Sequence, residues 1–214
     1  MTNVLILGAN GATAKIVTDR LLAETTDHLF LFLRHSQRLS HLVSHSRVTL
    51  IEGDVLNEQQ LTSVMANSDI VYSNIGGTEL GRDTAAILKA MHETHQSRLI
   101  FYSALGALHE VPGAFGTWNE QAIASYLPGF RKANELIKQD MTIDVTQIRP
   151  AWLTDRDEID YEVTGENEPF KGTEISRQSV ADFVVKLIKN PDQYHRTSVG
   201  LNKPHTEGTK PSWF

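Results

Sequence analysis

The stretch Ser125–Asn134 reads SYLPGFRKAN and holds a tyrosine and a lysine. Together these side chains can move a proton to or from a carbonyl oxygen. A nearby ammonium draws a phenol down from its usual pKa of about 10, so the tyrosinate becomes accessible near neutral pH. A spacing of four residues stacks two such side chains on one helix face. Four residues before Lys132, however, stands Pro128, which has no proton to give. Tyr126 stands six before, about 600° around a continuous helix and so on another face. Proline fits the first turn of a helix, where its missing N–H costs nothing. Tyr126 then lies ahead of the helix and can fold back. Tyr126 and Lys132 are the candidate acid/base groups.

A second pattern suits phosphate. Gly8–Ala14 reads GANGATA, with small residues at 8, 11 and 14. Gly8 can take a tight turn, Gly11 lets backbone approach a pyrophosphate, and Ala14 lets a helix pack closely on a strand. Asn10, Ala12 and Thr13 belong to the turn and first helical turn, whose N–H groups face the phosphates with the helix dipole behind them. The motif follows the apolar run Val4–Leu7 and opens a helical pattern, the context that makes a glycine motif informative.

The next apolar run, Leu29–Leu33, ends in Arg34, 20 residues beyond Ala14. A carboxylate there would accept from the ribose 2′-OH of NAD. An arginine suits a 2′-phosphate through charge-assisted hydrogen bonds. Ser36 and Arg38 could add to it. NADP(H) is therefore expected over NAD(H).

The elements that must position these groups alternate. Strands are expected at Val4–Leu7, Leu29–Leu33, Val48–Ile51, Ile70–Ile75, Leu99–Ser103 and Ile143–Ile148. Helical spacing marks the stretch after Gly11, Glu58–Ala66, Asp83–His95, Pro128–Asp140 and Gln178–Lys189, the last with Ser176 as N-cap. This order predicts an α/β fold with a Rossmann-type, doubly wound parallel sheet of six to seven strands. The 214 residues fit one domain, 1–214, with 151–175 and 195–214 as a small C-terminal, substrate-side appendage. The stretch 106–125 is expected as a loop.

Composition excludes several classes. With 40% hydrophobic and 21% charged residues the chain reads as globular, and a net charge of −6 argues against nucleic acid and polybasic membrane contacts. No apolar run approaches the ~20 residues of a membrane span. The N-terminus lacks a basic, signal-like region, and there is no cysteine, which suits a cytoplasmic location. The nine histidines lack metal-ligand spacing. The expected partner is a small-molecule substrate, and a homodimer is left open.

In order along the chain, the glycine spacing, Gly53-Asp54-Val55, Asn74-Ile75-Gly76-Gly77 and Thr146-Gln-Ile-Arg-Pro150 resemble the atypical short-chain dehydrogenase/reductases. The resemblance is to the small NmrA-like and biliverdin-reductase-B-like group and spans residues 2 to about 190. It implies that Asp54 and Val55 meet the adenine, and that Asn74, Ile75 and Gly76 line the adenosine ribose and phosphates. It further implies Ser103 near the nicotinamide, Lys132 on the nicotinamide ribose, and Pro150, Ala151 and Trp152 along the carboxamide edge. The expected function is an NADP(H)-dependent oxidoreductase acting on a small carbonyl, enone or quinone-like acceptor. The displaced Tyr–Lys spacing keeps a non-catalytic NADP(H)-binding redox sensor as the alternative.

Overall fold

The computed structural model describes residues 1–214. Its centre is an eight-stranded sheet. In chain order the strands and helices are β1 (Asn3–Leu7), α1 (Ala12–Glu24), β2 (His28–Leu33), β3 (Val48–Glu52), α2 (Glu58–Met65), β4 (Ile70–Ser73), α3 (Leu80–Thr94) and β5 (Arg98–Tyr102). There follow α4 (Gly113–Ala122), α5 (Leu127–Gln139), β6 (Asp144–Pro150), β7 (Trp152–Thr154), β8 (Glu162–Thr164), β9 (Glu174–Ser176), α6 (Arg177–Lys189) and β10 (Thr197–Asn202). A 3-10 segment, Ser36–Leu42, joins β2 to β3.

The main sheet runs β3-β2-β1-β4-β5-β6-β10-β8, all parallel except β8, which pairs antiparallel with β10. The strand order reverses between β1 and β4, and such a reversal opens a crevice at the strands' carboxyl ends. Central strands are apolar on both faces because helices cover both. One face packs α1 and α6, with Val17, Leu21, Val184 and Ile188 in its core. The other packs α2, α3 and α5, with Leu61, Ile87 and Ala133. No helix is long and apolar enough to cross a membrane.

Six expected strands and five expected helices are present, with ends shifted by a few residues. Ser176 caps α6 as expected, accepting from the Ser179 N–H. Two expectations change. The stretch expected as a loop contains α4, whose glycines and weak apolar stripe disguise it. Gly116 is required there, since a Cβ would lie 2.0 Å from Val111 O. The expected tail appendage is divided: residues 197–202 form β10 inside the main sheet, between β6 and β8.

A buried ion pair ties this second half together. Arg149 on β6 is fully buried and donates to Glu110 Oε1 at 2.6 Å. Glu110 also accepts from the Gly106 and Leu108 N–H groups, and Arg149 Nε donates to Ser198 Oγ of β10. Every charge is thus hydrogen-bonded, the condition under which a buried pair is tolerated.

Candidate nucleotide-binding and active site

Gly8 turns the chain out of β1 with φ 74°, in the left-handed region that favours glycine. The Gly11 N–H closes the turn on Gly8 O at 2.9 Å. Gly11 then precedes α1 without any side-chain cap. The N–H groups of Ala12 and Thr13 consequently have no protein acceptor, as first-turn donors lack one within the helix. They point out of the helix N-terminus beside the switch between β1 and β4.

A cavity of about 480 Å³ opens there. Of the expected residues it gathers Gly8, Asn10 and Gly11 from the turn, Arg34 and Arg38 from beyond β2, Asp54 and Val55 from beyond β3, and Asn74, Ile75 and Gly76 from beyond β4. These segments are sequentially remote and meet only because β3, β2, β1 and β4 are neighbours. The Arg34 and Arg38 side chains are exposed, line the cavity and have no carboxylate within salt-bridge distance. Ser36 is diverted: its N–H and hydroxyl both donate to Glu52 Oε2. It is therefore not free for a phosphate.

Four further polar residues line the cavity: Thr78, His35, which the sequence pattern reads as a solvated histidine, and Glu79 and Asp83, which it reads as a helix start. Asp83 sits in the first turn of α3. Burial, reinforced by the neighbouring Asp54 carboxylate, raises its pKa, while Arg34 opposes the rise. The signal available was position: Asp83 follows the Gly76-Gly77 turn by the length of a strand-to-helix connection.

The remaining expected residues lie outside this cavity. Ser103 follows β5, is buried, and its hydroxyl has no hydrogen-bond partner. Pro150 ends β6, Ala151 N–H donates to Leu201 O, and Trp152 begins β7. Lys132 on α5 lays its stem against Gly81 of α3 and donates to Glu135 Oε2 at 2.8 Å. Tyr126 is the N-cap residue of α5, with Pro128 in the first turn as expected, and it is 46% exposed. The Tyr126 hydroxyl and the Lys132 ammonium share no hydrogen bond or common acceptor. Tyr102 points to the opposite face of β5 from Ser103, toward Thr13; burial pushes its phenol to about 12, so it stays protonated at neutral pH.

Aromatic rings fill the space beside Trp152. Trp118 of α4 lies 4.8 Å from Trp152 and 5.0 Å from Phe214, and stacks on Phe115 at 6.1 Å. The Trp152 indole N–H donates to Asn119 Oδ1 at 2.9 Å. The tail that brings Phe214 here is pinned at Glu174, which accepts from the Ser212 N–H and from Arg156.

The NAD(P)H-binding family model matches residues 8–191. The chain belongs to this family. Among solved structures it is similar to a short-chain dehydrogenase/reductase from Veillonella parvula in complex with NADP, at 32% identity, with 99% of each chain covered and a TM-score of 0.92. A Rossmann-fold NAD(P)-binding family protein from Shigella flexneri is 38% identical over 99% of this chain and 98% of that one, with a TM-score of 0.85. ChuY, an anaerobillin reductase from Escherichia coli, covers 97% of this chain and 100% of its own at a TM-score of 0.81. At 18% identity that likeness speaks to the fold alone. No curated protein matches. The family match and the short-chain dehydrogenase/reductase neighbour agree with the resemblance drawn from the motifs, and with an NAD(P)H-binding oxidoreductase family.

The residues at the cavity fit such a dinucleotide. The free N–H groups of Ala12 and Thr13 and the exposed Arg34 and Arg38 suit an anionic ligand lying across the helix N-terminus. The buried Asn10 Oδ1, an acceptor without a partner, suits a donor such as a ribose hydroxyl.

Proposed function

We propose that the chain is an NADP(H)-dependent reductase of a small carbonyl, enone or quinone-like acceptor. The observation that carries the reading is the pair Arg34 and Arg38, cations without a salt bridge that follow β2 and line the same cavity as the glycine turn. In this reading they hold the 2′-phosphate, and Asp54 and Val55 meet the adenine. The diphosphate lies on the Ala12 and Thr13 N–H groups. Ser103, Pro150, Ala151 and Trp152 would hold the nicotinamide end, which would supply the hydride when bound. Lys132 leaves Glu135 to hold the nicotinamide ribose hydroxyls. The aromatic wall of Trp118, Trp152 and Phe214 excludes water and orients the acceptor.

The proton that completes carbonyl reduction has two candidate sources. Tyr126 needs its loop to fold inward, and Ser103 carries a hydroxyl already free of internal bonds. NADPH oxidation against aldehydes, enones and quinones tests the reading, with Tyr126→Phe and Ser103→Ala alongside. Turnover with at least one class is expected. Arg34→Ala should weaken NADPH by about 10–30-fold and leave NADH unchanged, the scale of one charge-assisted hydrogen bond.

A second reading is a non-catalytic NADP(H)-binding sensor. The exposed Tyr126, the proline at position 128 and the Lys132–Glu135 pair favour it. Tight NADPH binding with no turnover across the whole panel would select it.

A further inference from the structure

Tyr72 lies in β4 at the middle of the sheet, paired with Ile6 on one side and Ile100 on the other, and is completely buried. A phenol in such a place is costly unless its hydroxyl is bonded. Its one protein acceptor is Asn74 Oδ1, at 2.7 Å. Residues 72 and 74 point to the same face of the strand direction, so the contact follows from the pleat.

Asn74 is held at its other end too. Its N–H donates to Leu7 O at 2.9 Å, continuing the β1–β4 ladder beyond the last strand residue. Its side chain then reaches across the glycine turn. A Cβ built on Gly11 would lie 2.1 Å from Asn74 Nδ2, and one on Gly8 would lie 3.1 Å from Asn74 O. Gly11 therefore makes room for the Asn74 amide as well as for a ligand.

An asparagine amide has one accepting end and one donating end. The phenol occupies the accepting end. The Nδ2 group donates to no protein atom, and Asn74 lines the cavity beside the free N–H groups of α1. We propose that Tyr72 is a positioning residue for cofactor binding, which fixes the Asn74 amide so that its NH₂ faces an oxygen of the bound dinucleotide. The inference rests on the proposed occupancy of the cavity by NADP(H). Burial holds the Tyr72 phenol well above its usual range, so it remains a donor across the working pH. Without the hydroxyl the amide can turn, and its carbonyl oxygen would then face the anionic ligand in a share of molecules.

The test is a titration of NADPH into the wild type, Tyr72→Phe, Asn74→Ala and the double variant, with thermal unfolding of each. Tyr72→Phe keeps the ring and should raise the NADPH Kd about 5–10-fold, the scale of one ordinary hydrogen bond's net contribution. Asn74→Ala should lose a similar factor, and the double variant should be no worse than Asn74→Ala alone. Asn74→Asp should lose more, because its carboxylate still accepts from Tyr72 but donates nothing. An unchanged Kd in Tyr72→Phe overturns the inference, as do independent, multiplying losses in the double variant. A wild type that binds no NADPH instead overturns the functional reading beneath it, which separates the two failures. A lowered Tm with an unchanged Kd would mark Tyr72 as purely structural and also overturns it.

Discussion

The carboxyl edge of the sheet has two halves of different construction. Over β1, β2 and β4 it is an open cavity of about 480 Å³, made of turns that leave backbone donors and two arginines unpaired. Over β5 and β6 it is packed with Phe115, Trp118, Trp152 and Phe214, and the candidate site residues there are either buried, as Ser103, or turned to neighbours, as Lys132. The first half keeps its polar groups unsatisfied and so stands ready for a ligand. The second is filled by its own rings, with the Ser103 hydroxyl left unpaired among buried groups, and an acceptor must share or displace the rings. The difference teaches that this chain is preorganised to hold a nucleotide and is not equally committed to one substrate.

The largest effect should come from Gly8→Val. A branched residue at φ 74° is strained, and its Cβ would press on Asn74 O at 3.1 Å. About 2–3 kcal/mol of stability should be lost, with at least a ~100-fold weaker NADPH complex. Unchanged affinity would break the claim that the open half depends on this turn.

Trp152→Ala probes the packed half. It removes a partly buried ring and leaves Asn119 Oδ1 without its indole donor. A loss of about 2 kcal/mol in thermal or urea unfolding is expected, below the full value for a core aromatic because the ring is partly exposed. NADPH affinity should fall far less than in Gly8→Val, while the KM for the acceptor shifts more than the NADPH Kd. An equal loss of both would erase the distinction between the halves.

These two positions also show what the sequence made legible. GANGATA, Arg34, Gly53-Asp54 and Asn74-Ile75-Gly76 each sit at the end of a buried apolar run, so local pattern alone puts them on one sheet edge. The strand order 3-2-1-4 then does the rest. The packed half joins residues 118, 152 and 214, and no local periodicity links positions so far apart. The short strands β7, β8 and β9 have too few residues to show alternation. Helix α4 is disguised by its glycines, while the tail admits one short strand, which the structure places as β10 inside the main sheet. Ser36 misled because its competitor, Glu52, comes from the adjacent strand β3. Asp83 was read as a helix-start residue, which it is, while also facing the cavity.

The smallest effect concerns pH. Glu174 pins the tail that carries Trp213 and Phe214. Burial pushes its carboxyl up, but hydrogen bonds from Ser212 and the Arg156 guanidinium outweigh this and leave it below its ordinary value of 4.5. A depressed carboxylate stabilises the fold above that ordinary value and loses the contribution as pH falls through the lower folded value. The Tm difference between wild type and Glu174→Gln should therefore be constant near neutrality and shrink below about pH 4.5. Tryptophan emission should shift over the same window. A difference that persists unchanged at low pH would place the tail's anchor elsewhere.

The central claim is that the open half alone recognises the phosphorylated adenosine. Calorimetric titration with adenosine 2′,5′-bisphosphate and with adenosine 5′-monophosphate tests it without any nicotinamide. The bisphosphate should bind at least ~10-fold tighter, and Arg34→Ala should remove that advantage, as expected for one charge-assisted contact. Equal or weaker binding of the bisphosphate, or an advantage that survives Arg34→Ala, would contradict it.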